Sequence, residues 1–401
     1  MRCLLIYHFF HPDTVISARL FSDLSEDLVA AGHEVTVYAS NRCIRAEGEL
    51  PEYEEWHGVR IRRFSRPDFR QGSNVGRVLN SLILQRKWLK AFKQQRSEFD
   101  AVIVGTDPQF CWMMFPGMRR LAPNIRLIHW VFDLYPEALS ATGSRLMRFA
   151  AWLMRPLARC AYSKADVMAD LGACMRKRLQ AYAKPGRDAL ATTVTPWALE
   201  EPKEVAPIDW EMRRKLFGDA TLCLLYSGTV GHAHDITPFI ELARECRRRK
   251  LAVGFCFAGY GNRFEEQTSQ LTPEDTNVTV AGFASEDELK ARLASADFHL
   301  VSLREGWEGI VVPSKFFASL AMGRPVLYAG PAQSEINGWI QQLHLGYRLD
   351  EGFVSVLEQL LQAPERLRQQ RQDAIAAYRM HFSREMALQK IEGILGQKGR
   401  S

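Results

Sequence analysis

No apolar run in the chain approaches the ~20 residues of a membrane-spanning helix, which argues against an integral helical membrane protein. The eight cysteines, Cys3, Cys43, Cys111, Cys160, Cys174, Cys223, Cys246 and Cys256, show no paired-ligand spacing. Several lie inside apolar runs, as reduced core thiols do, so a zinc ribbon and a disulfide framework are both disfavoured and the cytoplasm is expected. The full dinucleotide fingerprint is also missing. Gly259-Tyr260-Gly261 follows an apolar run, but without the remaining glycines it is weak evidence for any nucleotide and argues against a Rossmann oxidoreductase. The opening MRCLLIYHFFHPD ends its short apolar run in His and Pro with no cleavage site. It reads as a first strand rather than a signal peptide.

What is present describes a globular protein of more than one core. Apolar residues make up 47% and charged residues 24% of 401 residues, a length that suits two domains of roughly 200 residues each. Residues 1–198 carry 28 Lys and Arg against 19 Asp and Glu, while the remainder carries 24 against 27. A basic first half suggests an anionic surface or substrate.

The chain opens as strand, helix and strand: Cys3 to Phe9, Ala18 to Ala31, Glu34 to Ala39. The short crossover begins a parallel doubly wound sheet, whose ligands bind beyond the carboxyl ends of the strands. His8, His11, Asp13 and Ser17 fall in the first such loop. A hairpin around Trp56 to Ile61, a long helix from Asn74 to Phe99, and strands at 100–105 and 126–132 follow. The helix carries Arg86, Lys87, Lys90 and Lys93 beside Trp88. Asp133-Leu134-Tyr135-Pro136-Glu137 then puts carboxylates at a sheet edge, where they either face a ligand or cap the next helix. Ser144 to Tyr162 reads as an arginine-rich helix interrupted by Pro156. Arg145, Arg148, Trp152, Arg155 and Arg159 share one side, and Leu146, Phe149, Leu153 and Leu157 the other. That layout suits a helix lying on an anionic bilayer, or a solvated basic face. Arg176, Lys177 and Arg178 in the same half favour the bilayer.

After a Pro- and charge-rich linker, Glu200 to Pro207, the pattern restarts. A strand at 222–226 leads into Ser227-Gly228-Thr229-Val230-Gly231-His232-Ala233-His234-Asp235, a glycine-bearing turn that lets backbone approach a phosphate. Strands follow at 255–258 and 278–283, then a capping box at Ser285-Glu286-Asp287-Glu288. The stretch 301–331 contains a strand end, a polar turn from Arg304 to Gly309, Ile310-Val311-Val312, then Pro313-Ser314-Lys315 opening a helix that Gly323 stops. A Gly-bearing loop with one Lys near a helix start suits a diphosphate. Helices at 364–381 and 383–395 close the chain.

Three stretches carry a resemblance: WVFDLYPE at 130–137, SGTVGHAHD at 227–235 and EGIVVPSKFFASLAMGRPVL at 308–327. Together they resemble bacterial GT-B glycosyltransferases of family 4, in the branch that builds O-antigen, colanic-acid-like and other exopolysaccharide repeat units. The resemblance implies an α/β fold of two facing Rossmann-like doubly wound domains with an interdomain cleft. Residues 1–198, joined by 383–401, would bind a polyprenyl-diphosphate-linked acceptor at the inner membrane surface; residues 199–382 would bind a nucleotide sugar, most simply UDP-linked. It implies transfer of a hexose or N-acetylhexosamine with retention, with no metal and no other cofactor, because basic groups and helix N-termini meet the charge of the leaving diphosphate.

On that resemblance the catalytic candidates are Asp133, Glu137, Glu305 and Lys315. The donor set is Gly228, Gly231, His232, His234, Gly259, Tyr260, Gly261, Phe283, Arg304, Gly309, Ile310, Val311, Ser314 and Lys315. His8, His11, Asp13 and Ser17 fall on the acceptor side, and Lys87, Lys90, Arg148, Trp152, Arg155 and Arg159 on the membrane side. Three features depart from the family pattern. The usual glutamate pair is replaced by Ile310 and Ala318, with Glu305 or Glu308 as a substitute for the first. The family's histidine near the end of the DLYPE strand is replaced by Phe132 or Asp133, with His129 further back. His232 stands where relatives have Arg, which leaves Lys315 and Arg304 to carry the charge. The alternatives are a non-catalytic, membrane-associated subunit of a polysaccharide assembly complex and a UDP-sugar 2-epimerase of the same fold.

Overall fold

The computed structural model describes residues 1–44, 48–67, 69, 74–182, 190–282 and 284–397. The chain divides into two compact units: Met1–Thr195 with Gly309–Val311 and Ala387–Ser401, and Pro196–Glu308 with Val312–Met386.

The first unit is built on eight strands: β1 (Arg2–Ile6), β2 (Glu34–Ser40), β3 (Tyr53–Trp56), β4 (Val59–Phe64), β5 (Ala101–Val104), β6 (Arg126–Trp130), β7 (Val167–Asp170) and β8 (Leu190–Thr193). Their order is β3-β4-β2-β1-β5-β6-β7-β8, parallel except for the β3–β4 hairpin at one edge. Strands β1, β5, β6 and β7 are buried almost throughout, the mark of a parallel sheet covered on both faces. The order reverses direction beside β1, so the loops after β1 and β5 diverge there, which is the ligand position of a doubly wound sheet. The end of the chain also belongs to this unit. Ala387, Ile391, Ile394 and Leu395 are buried, and Arg126 Nη1 donates to the Gln397 carbonyl at 2.6 Å.

The second unit has six strands: β9 (Leu222–Ser227), β10 (Val253–Ala258), β11 (Val278–Ala281), β12 (Phe298–Ser302), β13 (Val326–Ala329) and β14 (Gly346–Arg348), in the order β11-β10-β9-β12-β13-β14, all parallel. Alternation along β9 sends Leu222, Leu224 and Tyr226 into one core layer, and Cys223 and Leu225 into the other. The two layers receive helices 237–248 and 353–362 on one side and helix 210–217 on the other.

Several expected elements take a different form. The helix Arg145–Tyr162 runs unbroken through Pro156. Helices at 210–217, 335–343 and 353–362 were not anticipated from the sequence. The linker 200–207 forms no helix or strand, yet it is pinned: the Ala206 carbonyl accepts from Arg324 Nη2, and Glu201 Oε1 accepts from Arg384 N, both at 2.8 Å. Ser285 caps its helix as expected, accepting from Glu288 N at 3.3 Å.

Candidate functional site

In the second unit the loops after β9, β10 and β12 gather round one lysine. The Lys315 ammonium donates to the Thr229 carbonyl at 3.0 Å and lies 4.9 Å from the centre of the Tyr226 ring. Among the described residues no carboxylate pairs with it. The side chain is only half-buried by surface area, yet the protein packed round it disfavours the charged form and lowers its pKa to about 7. Gly228 adopts φ +127°, and a Cβ there would lie 3.1 Å from Lys315 Cε. At Gly259 a Cβ would lie 2.5 Å from the Gly228 carbonyl oxygen. The glycines of two separate loops therefore let the lysine and both backbones meet. Gly231 has open space where a side chain would stand, so sterics do not require glycine there.

His234 belongs to this loop but not to its charge. Its Nδ1 donates to the Ser302 carbonyl at 2.8 Å, a bond that only a protonated Nδ1 can make to a carbonyl. Burial first and the Lys315 ammonium second push its pKa down to about 3, so it is neutral near pH 7. His232 and Glu305 are exposed. Arg304 is held by its backbone, N to the Ala233 carbonyl at 2.8 Å, with its side chain outward. Ser314 starts the helix 315–321, its carbonyl accepting from Phe317 N. Tyr260 is 39% exposed after β10, and Gly261 precedes the helix 262–268. Phe283, expected near the base, lies outside the described residues.

Three expected donor residues group by contact with the first unit. Gly309, Ile310 and Val311 cluster with the first unit, where the Ile310 carbonyl accepts from Leu134 N at 2.9 Å and Gly309 backs onto the Cys174 carbonyl. The Ile310 side chain is buried.

In the first unit the corresponding strand ends carry acidic and aromatic groups. His8 follows β1, Thr106 and Asp107 follow β5, and Phe132 and Asp133 follow β6, three neighbouring strands. His8 Nδ1 faces Asp107 Oδ1 at 3.4 Å. Thr106 Oγ1 accepts from Phe132 N at 2.8 Å, which fixes the end of β6. Burial, and then the nearby Asp107 carboxylate, raises the Asp133 pKa to about 6. Ser17 hydrogen-bonds the Tyr7 hydroxyl beside them. Asp13 and His11 are used in the scaffold instead. Asp13 accepts from Val15 N at 3.2 Å and Ile44 N at 2.8 Å, and His11 stacks on Trp56 at 4.3 Å. Glu137 is likewise committed: buried, it accepts from the Tyr182 hydroxyl and has Arg155 Nε at 3.8 Å. His129 is a core histidine whose Nδ1 donates to the Val104 carbonyl at 2.9 Å, with burial lowering its pKa to about 4. Sequence reasoning missed Tyr7, Thr106, Asp107, Tyr226 and Ser302. The polar Thr106-Asp107 directly after an apolar strand was the available signal for two of them.

The helix 145–162 divides into three stripes. Ala151, Ala158, Ala161 and Tyr162 face the core; Arg145, Arg148, Trp152, Arg155 and Arg159 flank it; and Leu146, Phe149, Leu153 and Leu157 stand between 53% and 68% exposed. The leucine side is thus a solvent-facing ridge, not core. No acidic residue lies on the helix. Lys90 is exposed, but Lys87 donates to the Ser65 carbonyl and hydroxyl, and Trp88 is fully buried. No helix among the described residues is long and apolar enough to cross a membrane. Among them, too, no group of three or more His, Cys, Asp or Glu could hold a metal ion.

Residues 17–196 match the family described as Glycosyl transferase 4-like domain, a match that ends before the Val312–Pro325 segment. Over 259 residues the chain is 27% identical to "Probable glycosyltransferase WbjE" of Pseudomonas aeruginosa, and the match covers 62% of each chain. Over 350 residues it is 24% identical to "Putative colanic acid biosynthesis glycosyl transferase WcaI" of Escherichia coli K12, covering 82% of this chain and 83% of the relative. Among solved structures, "Trehalose-6-phosphate from E. coli bound with UDP-2-fluoro glucose" aligns over all of both chains with a TM-score of 0.71 at 11% identity. "Crystal Structure of WaaG, a glycosyltransferase involved in lipopolysaccharide biosynthesis" aligns over 98% of this chain and 100% of its own, with a TM-score of 0.64 at 16% identity. At such identities the structures establish the fold, which is GT-B. The sequence matches support glycosyltransferase function.

Proposed function

We propose that this chain transfers a hexose or N-acetylhexosamine, with retention, from a UDP-linked donor to a polyprenyl-diphosphate-linked acceptor in cell-surface polysaccharide biosynthesis. The observation that carries the reading is Lys315. A lysine with no carboxylate partner among the described residues, beside two glycine loops, is a group whose charge an incoming diphosphate would stabilise. The UDP sugar in the trehalose-6-phosphate structure of the same fold supports the choice of nucleotide. In this reading Lys315 draws the departing diphosphate's charge, the neutral His234 donates no charge, and transfer needs no metal. Asp133 is the carboxyl group at the acceptor side, while Glu137 supports the segment that carries it. The ribose contact that the family's second glutamate would make is left to backbone, since Ala318 offers no polar side chain.

The same reading makes the Arg145–Tyr162 helix the membrane-docking element, at the inner face of the plasma membrane. Four arginines alongside an exposed leucine and aromatic ridge match an anionic lipid surface in both charge and polarity.

Calorimetric titration with UDP, GDP and a panel of UDP sugars tests the proposal. Micromolar UDP binding with one preferred sugar, and turnover unchanged by chelator, is the expected result. Preference for GDP redirects the donor to another nucleotide, and no nucleotide binding at all makes the chain a non-catalytic assembly subunit.

A further inference from the structure

The strand ends of the first unit gather groups that a phosphate site would avoid. Asp107 and Asp133 are close enough for one to raise the other's proton affinity, so a second anion there is disfavoured. Asp107 is itself oriented, with its backbone carbonyl accepting from His8 N at 3.0 Å and its carboxylate facing His8 Nδ1. The His8 side chain is 5% exposed while that of Asp107 is 36% exposed, so the carboxylate, not the imidazole, meets solvent. The half-buried Phe132 ring lies 6.4 Å from the Tyr7 ring and precedes Asp133 directly. Thr106 fixes the backbone at that point through both Phe132 N and, at 3.4 Å, Asp133 N. Carboxylates that accept from hydroxyls, next to an aromatic ring that can cover an apolar C–H face, are the chemistry of sugar recognition.

We propose that the carboxyl ends of β1, β5 and β6 form a sugar site in which Asp107, held by His8, accepts hydrogen bonds from hydroxyls of the acceptor's terminal sugar. Phe132 covers one face of that sugar, and Asp133 bonds a further hydroxyl. The acceptor is therefore a lipid that already carries a sugar, and Asp107 selects for it. The step rests on reading the first unit as the acceptor side. It assigns Asp107 to substrate contact and leaves His8 as its positioning residue.

Saturation-transfer NMR on the full chain tests this with methyl α- and β-glycosides of glucose, galactose, mannose and N-acetylglucosamine. At least one glycoside should receive saturation, and Asp107→Asn should weaken it at least tenfold while UDP binding stays at the wild-type level. A wild-type thermal melt of the variant reports that its first unit is folded. Phe132→Leu, which changes no charge, should weaken the same glycoside and serves if Asp107→Asn fails to fold. Lys315→Ala should do the reverse, losing UDP and keeping the glycoside. Equal glycoside binding by wild type and both first-unit variants overturns the site, as does binding of UDP with no glycoside. Glycoside binding without any UDP binding would leave the sugar site standing and remove the donor reading.

Discussion

The two sheets of this protein end in opposite chemistries, and each is the reverse of its half's net charge. The first half is basic, yet its strand ends hold Asp107 and Asp133. The second is slightly acidic, yet its strand ends hold Lys315, which has no counter-ion among the described residues. Net charge fails as a guide because most charged groups are occupied elsewhere. In the first unit Arg119 is consumed by the Pro123, Ile125 and Lys164 carbonyls and by Asp166, and Arg126 by Gln397. The arginines left over line the exposed helix 145–162. In the second unit Arg213 and Arg371 are spent on one buried carboxylate, Asp297, and Arg324 caps four carbonyls. What matters at a site is the charge that has no partner.

The largest expected effect breaks a partnership of the second unit. Asp297→Ala removes the acceptor of Arg213 Nη2 and Cys223 N, both at 2.8 Å, and leaves the buried Arg213 and the partly buried Arg371 without their shared carboxylate. Thermal or urea melts should show a loss of about 3–5 kcal/mol. A loss under 1 kcal/mol would mean that solvent reaches those arginines.

Lys315→Ala leaves stability nearly unchanged and should weaken UDP binding by about 1.5–3 kcal/mol, the scale of a charge-assisted hydrogen bond. Calorimetry decides it, and unchanged affinity removes Lys315 from the donor site.

Arg148 and Arg159 have no ion pair among the described residues, unlike Arg155, so they isolate the surface role of the helix. Arg148→Glu with Arg159→Glu should cost about 2 kcal/mol or more in binding to anionic vesicles at low salt, on the scale of about 1 kcal/mol per basic group. Sedimentation of the variant and the wild type to the same extent would leave the helix a solvated face.

The pH dependence of UDP binding follows from the sign of the lysine's shift. Burial lowers the free lysine to about 7, and a bound diphosphate raises it, so binding takes up a proton above pH 7. Affinity should be flat with respect to this group below pH 7. It should then fall by up to about 1.4 kcal/mol per pH unit above 7, until the bound-state pKa is passed. Equal binding heats at pH 8 in buffers of different ionisation enthalpy would show that no proton moves.

The smallest effect is at the acidic rim. Asp133 is raised to about 6, so its carboxylate destabilises the folded state once the pH exceeds the ordinary carboxyl range, and fully above 6. Asp133→Asn should therefore stabilise the chain at pH 8 by about 1 kcal/mol and by almost nothing at pH 4. Equal melting shifts at both pH values would mean that burial and the Asp107 carboxylate do not raise Asp133.

The sequence by itself determined the repeating strand and helix order, the glycine turn at 228–231, the Ser285 cap and the lysine of Pro313-Ser314-Lys315. Each is written in residues a few positions apart, where backbone preference and side-chain periodicity act directly. It placed Glu137 and Asp133 together as acids after a strand, but not their separate fates. Glu137 meets Tyr182, 45 residues on, whereas Asp133 meets Asp107 from another loop. The helix 145–162 shows the same limit. Its periodicity separated arginines from leucines, but whether the leucines or the alanines face inward depended on the close approach of neighbouring helices, which the small Ala151 and Ala158 permit. Lys315 was marked as a diphosphate candidate by its local sequence, but its meeting with the Thr229 carbonyl, 86 residues away, under glycines from two loops, came only with the tertiary fold. Long-range convergence of this kind sets burial, and burial sets which charges are held and which are free.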